Sequence, residues 1–153
     1  MHNKLKTLLI AVLLLSFAVC SFAQAKESKT PRQLENEKQA KQVLQMLCEG
    51  DVSAISYIFW DDFYLNDEDI TYYYYESVDY GDDEDFTRDI VMEISGLLMT
   101  DGKPDYNYTG WSFKHNADKM NASSANKSKK AEMLFYTPED SHIFIREINI
   151  KKK

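Results

Sequence analysis

The sequence predicts an α+β fold, with N-terminal helices packed on a curved antiparallel sheet in the order helix, helix, strand, helix, then three strands. Three observations carry this. Apolar residues recur at helical spacing over 31–49 and again after Gly81. A β-branched and aromatic run, Ile70 to Tyr75, stands between them. The last third of the chain turns to alternating, strand-like patterning punctuated by Gly110 and Pro138.

The chain opens with Lys4 and Lys6, an apolar run from Leu8 to Val19, and the small residues Ala23 and Ala25. That three-part arrangement is expected of a secretory signal peptide over 1–25, leaving 26–153 as a single exported domain. The apolar run is too short for a membrane span, which takes about 20 residues. Cys20 offers an alternative, a lipid anchor, although Phe17 and Val19 fit such a site badly. With Cys20 removed, Cys48 is the sole cysteine and no intramolecular disulfide can form.

The first helix is expected at Pro31–Glu49. Thr30 can cap it, Pro31 suits its first position, and Gln33 completes a capping box. Leu34, Ala40, Val43, Leu44 and Leu47 form its apolar stripe, and Gly50 ends it. Asp51 can cap a second, shorter helix with Val52, Ile55 and Phe59 on one face. The strand expected at Ile70–Tyr75 would direct Tyr72 and Tyr74 to one side and Tyr73 and Tyr75 to the other. Acidic residues 82–85 suit the positive end of a third helix dipole, followed by Phe86, Ile90, Ile94 and Leu97 or Leu98.

Beyond the stop at Asp101-Gly102-Lys103-Pro104, Tyr106 and Tyr108 share one parity and Trp111 and Phe113 the other, which a bulge at Gly110 would reconcile. Residues 116–130 are polar and read as a long exposed loop. Within this region three triplets, at Asn107, Asn121 and Asn126, match the N-glycosylation pattern. A hairpin is expected from 132–137 and 142–150. Ile143 and Ile145 are out of phase with Ile148 and Ile150, which requires a bulge or burial on both faces.

Helices joined by a Gly-Asp hinge, KQAKQVLQMLCEGDVSAISYIF (38–59), with a later helix and three strands, resemble the opening of nuclear-transport-factor-like (cystatin-like cone) domains. The resemblance implies a curved sheet wrapped round helices with a pocket at the open end. It transfers no catalytic residue.

Charge narrows the function classes. Residues 49–105 carry 17 acids against Arg88 and Lys103, whereas both flanks are net basic. Nucleic acid calls for a broad basic face and is disfavoured. Within this segment 60–89 holds six tyrosines, Trp60, Phe63 and Phe86 among the carboxylates. Aromatics at that density must be covered or meet a partner.

No constellation specifies catalysis. Asp79, Asp82, Asp83, Asp85 and Asp89 could suit calcium but lack an EF-hand spacing. A glycosidase pair drawn from Asp61 or Asp62 with Glu76 has no distance to support it. His115 and His142 are far apart in sequence, and there is neither a nucleophile elbow nor a phosphate loop. Catalytic residues, metal and cofactor are therefore all expected to be none. The expectation is an exported, non-catalytic binding or accessory protein of the bacterial envelope, secreted or periplasmic, with a protein or glycan partner. An inhibitor or immunity protein is its special case. The expected contact residues are Trp60, Asp61, Asp62, Tyr73, Tyr75 and Trp111. The rival is a ligand-binding or enzymatic cone domain with a pocket lined by Trp60, Phe63, Tyr108 and Trp111.

Overall fold

The computed structural model describes residues 28–100, 103–104, 110–125 and 129–152. The expected signal peptide, Cys20, Tyr106, Tyr108, the Asp101-Gly102 stop and the glycosylation triplets beginning at Asn107 and Asn126 lie outside them. The chain divides into two compact units, Met1–Thr30 and Pro31–Lys153, and every element described belongs to the second.

That unit is α+β. Helix α1 spans Pro31–Glu49, as its periodicity requires, and buries Ala40, Val43, Leu44, Leu47 and Cys48. Met46 O accepts from Asp51 N at 2.9 Å and Gly50 takes φ 68°, so the chain turns sharply where glycine makes it cheap. The second helix is a correction: Val52–Tyr57 is a 3-10 turn rather than an α-helix. Its cap is as expected, the Asp51 side chain accepting from Ser53 N at 2.9 Å. Ala54 and Ile58 point inward while Val52 is exposed, so the expected stripe of Val52, Ile55 and Phe59 does not form. A short antiparallel pair follows, β1 (Tyr64–Leu65) and β2 (Glu68–Asp69), turned by Asn66 and Asp67 at φ 51° and 69°.

The larger correction concerns the tyrosine run. Thr71–Tyr80 is an α-helix, α2, not a strand. Tyr74 N donates to Ile70 O at 3.0 Å, and Asp69 Oδ1 accepts from Thr71 N at 3.0 Å. Gly81 at φ 77° closes it, with Gly81 N and Asp82 N donating back to Val78 O and Ser77 O. Strand propensity measures fit to a half-buried pleated surface, and at these positions no such surface is offered. Helix α3, Asp83–Leu98, has three acids in its first turn and buries Ile90, Val91, Ile94 and Leu98. Lys129 Nζ donates to Leu97 O and Met99 O at 3.0 and 2.8 Å, placing a cation at the helix's negative end. A two-residue pair, β3 (Met99–Thr100) and β4 (Lys103–Pro104), follows.

The main sheet has six strands in the order β2-β1-β8-β7-β6-β5, with β5 Ser112–Asn116, β6 Lys119–Ala125, β7 Lys129–Tyr136 and β8 Phe144–Lys152. It is mixed rather than wholly antiparallel, because β1 runs parallel to β8. The expected loop over 116–130 is largely strand: Ala117 at φ 49° turns β5 into β6, and Met120 and Ala122 are buried. The phase break on β8 is resolved by a bulge. Leu134 pairs with Glu147 and Phe135 with Ile145, so Arg146 is the extra residue and all four isoleucines point into the core. Phe63, Leu44, Ile94, Phe135 and Ile148 belong to one continuous cluster between helices and sheet.

Candidate functional site

The acidic and aromatic stretch becomes a pair of helices. On α2, Tyr73, Glu76, Ser77 and Tyr80 fall at i, i+3, i+4 and i+7 and so share one face. On α3 and its cap, Asp82, Asp85, Phe86 and Asp89 repeat that spacing. The two stripes line a groove of about 580 Å³. Its walls hold two phenol rings, a phenyl ring and four carboxylates, partly offset by Arg88, which bonds Asp85 at 2.5 Å.

No side chain of α2 is buried. Tyr72 is 66% exposed, Tyr73 44%, Tyr75 47% and Tyr80 76%. The helix is held instead by edge contacts. The Trp60 ring stacks on Tyr74 with centroids 4.4 Å apart and meets fully buried Phe63 edge-on at 5.8 Å. Thr71 Oγ1 accepts from Phe63 N at 2.9 Å. The Tyr75 hydroxyl donates to the Asp61 carboxylate, and this bond, more than the slight desolvation beside it, raises the tyrosine's pKa.

The expected contact residues therefore separate. Tyr73 and Tyr75 stand in solvent, with Asp61 bound to the latter. Trp60 is half-buried and fastens α2 to the core. Asp62 forms an ion pair with Arg146, the residue expelled at the β8 bulge, whose guanidinium lies over Phe59. Trp111 is buried in the core, away from any contact surface. Phe63 is sequestered as well, so of the four aromatics expected to line a cone pocket two are core and Tyr108 lies outside the described residues. Glu76, Tyr80, Phe86 and Asp89 were missed as partners of Tyr73. Only a helical reading of 71–80 would have placed them on one groove.

Among the described residues no three of His, Cys, Asp and Glu converge as metal ligands, the acidic turn at Asp82–Asp85 included. Cys48 is buried, and desolvation, helped by Glu49, pushes its thiol up to about 11, which leaves it protonated and unreactive. His115 faces Glu37 at 2.9 Å, both nearly sealed between β5 and α1. His142 packs against Tyr57 and Phe144, with Nε2 3.3 Å from Ser56 O.

No family model, curated protein or solved structure matches the chain. The surface itself must carry any functional reading.

Proposed function

We propose that the protein is an exported binding or accessory protein of the bacterial envelope, non-catalytic, that receives a basic protein segment in the groove between α2 and α3. One observation carries this reading: a ten-residue helix with five tyrosines keeps none of its side chains in the core. Fully solvated aromatic surface is costly, and tyrosine is a residue that interfaces favour. The carboxylates along the same groove select the partner's sign. A lysine or arginine there would meet a carboxylate on one side and a ring face on the other. Occlusion of a basic site on a toxin or hydrolase is the special case of this reading.

Photo-crosslinking in the producing cell tests it. A crosslinking amino acid at Tyr73 or Tyr80 should trap a discrete basic protein, and one at Asn121 on the distant sheet face should not. Glu76→Gln with Asp85→Asn and Asp89→Asn should remove the product. Equal products from all three positions, or products indifferent to the charge removal, would refute the assignment.

A further inference from the structure

A second cleft lies on the sheet, remote in sequence from the acidic helices. The outward faces of β5–β8 form two cross-strand rows. Ser112, Ser123, Glu132 and Asn149 make the first; Lys114, Asn121, Leu134 and Glu147 make the second. Together they line a groove of about 640 Å³, within the range of about 300–1,000 Å³ typical of small-molecule sites. No element among the described residues covers it.

An outward sheet face is ordinarily polar and flat. This one differs in three ways. Short side chains, Ser112 on the edge strand and Asn121 and Ser123 on β6, lie beside the longer Lys114, Glu132 and Glu147, and the difference in length gives the groove depth. Leu134, Glu147 and Asn149 are half-buried. Asn149 Oδ1 is inaccessible to solvent and accepts no hydrogen bond, its amide nitrogen being engaged by Glu147. A buried acceptor without a donor is disfavoured.

The lining also states what the ligand must offer. Ser112 and Ser123 satisfy each other, with Oγ atoms 3.0 Å apart, and Glu132 holds Lys130 at 2.8 Å. Lys114 and Asn121 make no side-chain hydrogen bond among the described residues. A ligand must therefore donate to Glu147 while accepting from Lys114 and from the Asn121 amide. An anion would be repelled by Glu132 and Glu147, and a bare cation offers Lys114 and the Asn121 amide nothing to donate to. A hydroxyl is both donor and acceptor, and adjacent hydroxyls match the planar amide and carboxylate groups. We propose that this groove is a binding site for a short, uncharged saccharide.

Titration of the isotope-labelled chain with cellobiose, maltose or N,N′-diacetylchitobiose, followed by amide NMR, is the test. At least one should shift amides within 112–123, 132–134 and 147–149, while glucuronate should not. Asn121→Ala, at an exposed position that folding does not need, should weaken that binding about tenfold, the equivalent of one lost hydrogen bond. Tyr73→Ala with Tyr80→Ala should leave the shifts intact, so this site stands or falls apart from the acidic groove. No shift with any of the three sugars, shifts elsewhere, or binding indifferent to Asn121→Ala would overturn it.

Discussion

Helices α1 and α2 are made in opposite ways. Helix α1 commits Val43, Leu44 and Leu47 wholly to the core, and its chemistry is spent on folding. Helix α2 commits nothing to the core and is fixed by its ends: an aspartate at its start, a left-handed glycine at its finish, and one tryptophan stacked on its middle. A helix of ten residues is too short to persist in water without tertiary support. The difference teaches that α2 is retained for what it displays, because burial does not explain it.

The sharpest way to break that comparison is to truncate one residue on each helix. Leu44→Ala leaves a cavity in the buried core cluster and should cost about 2–5 kcal/mol in denaturant unfolding. Tyr72→Ala, removing a larger side chain, should change stability by less than about 0.5 kcal/mol. Comparable losses at the two positions would mean that α2 is a structural element after all.

How much of this was legible follows from the same contrast. Helices α1 and α3 were readable because burial imposes a 3.6-residue period on Val43, Leu47, Ile90 and Ile94, and their caps agree with it. The out-of-phase isoleucines left a bulge or burial on both faces open, and the structure has the bulge, at Arg146. Helix α2 was illegible for the reason that makes it interesting. With no buried face it has no period, and four consecutive tyrosines then speak only through β propensity, a weak and context-dependent guide. Strand β6 was hidden similarly. KMNASSA carries no β-branched residue, and its turn uses Ala117 at positive φ where a glycine or asparagine would have signalled. The exposed groove inherited the α2 error: of its lining only Tyr73 is among the expected contact residues, because a strand does not bring Tyr73, Glu76, Ser77 and Tyr80 to one face.

A milder perturbation loosens α2 without touching α1. Trp60→Ala removes the ring that couples Tyr74 to Phe63 and leaves the cap hydrogen bonds in place. Amide hydrogen exchange should then accelerate selectively across 71–80, with the amides of α1 and β7 protected as before. Uniform acceleration through all three elements would show that Trp60 supports the whole core and that α2 has no separate stability.

The smallest effect tests whether the exposed face of α2 is organised in its own right. Tyr75 is exposed, yet its hydroxyl donates to Asp61 across the loop that carries Trp60. A hydrogen bond to a carboxylate favours the neutral phenol, which is why the folded-state pKa lies above the ordinary value of about 10. A raised folded pKa means the bond contributes stability below the unfolded pKa and loses it as pH rises through the folded one. Asp61→Asn removes both the strong acceptor and its charge, so the Tyr75 pKa should fall toward the ordinary value. NMR titration of the tyrosine Cζ resonances reads this directly, and the thermal midpoint at neutral pH should hardly move. An unchanged Tyr75 titration would mean that the ring is unanchored in solution. Each exposed tyrosine would then pay its full ordering entropy on meeting a partner, and the α2 surface would be a weaker platform than its geometry promises.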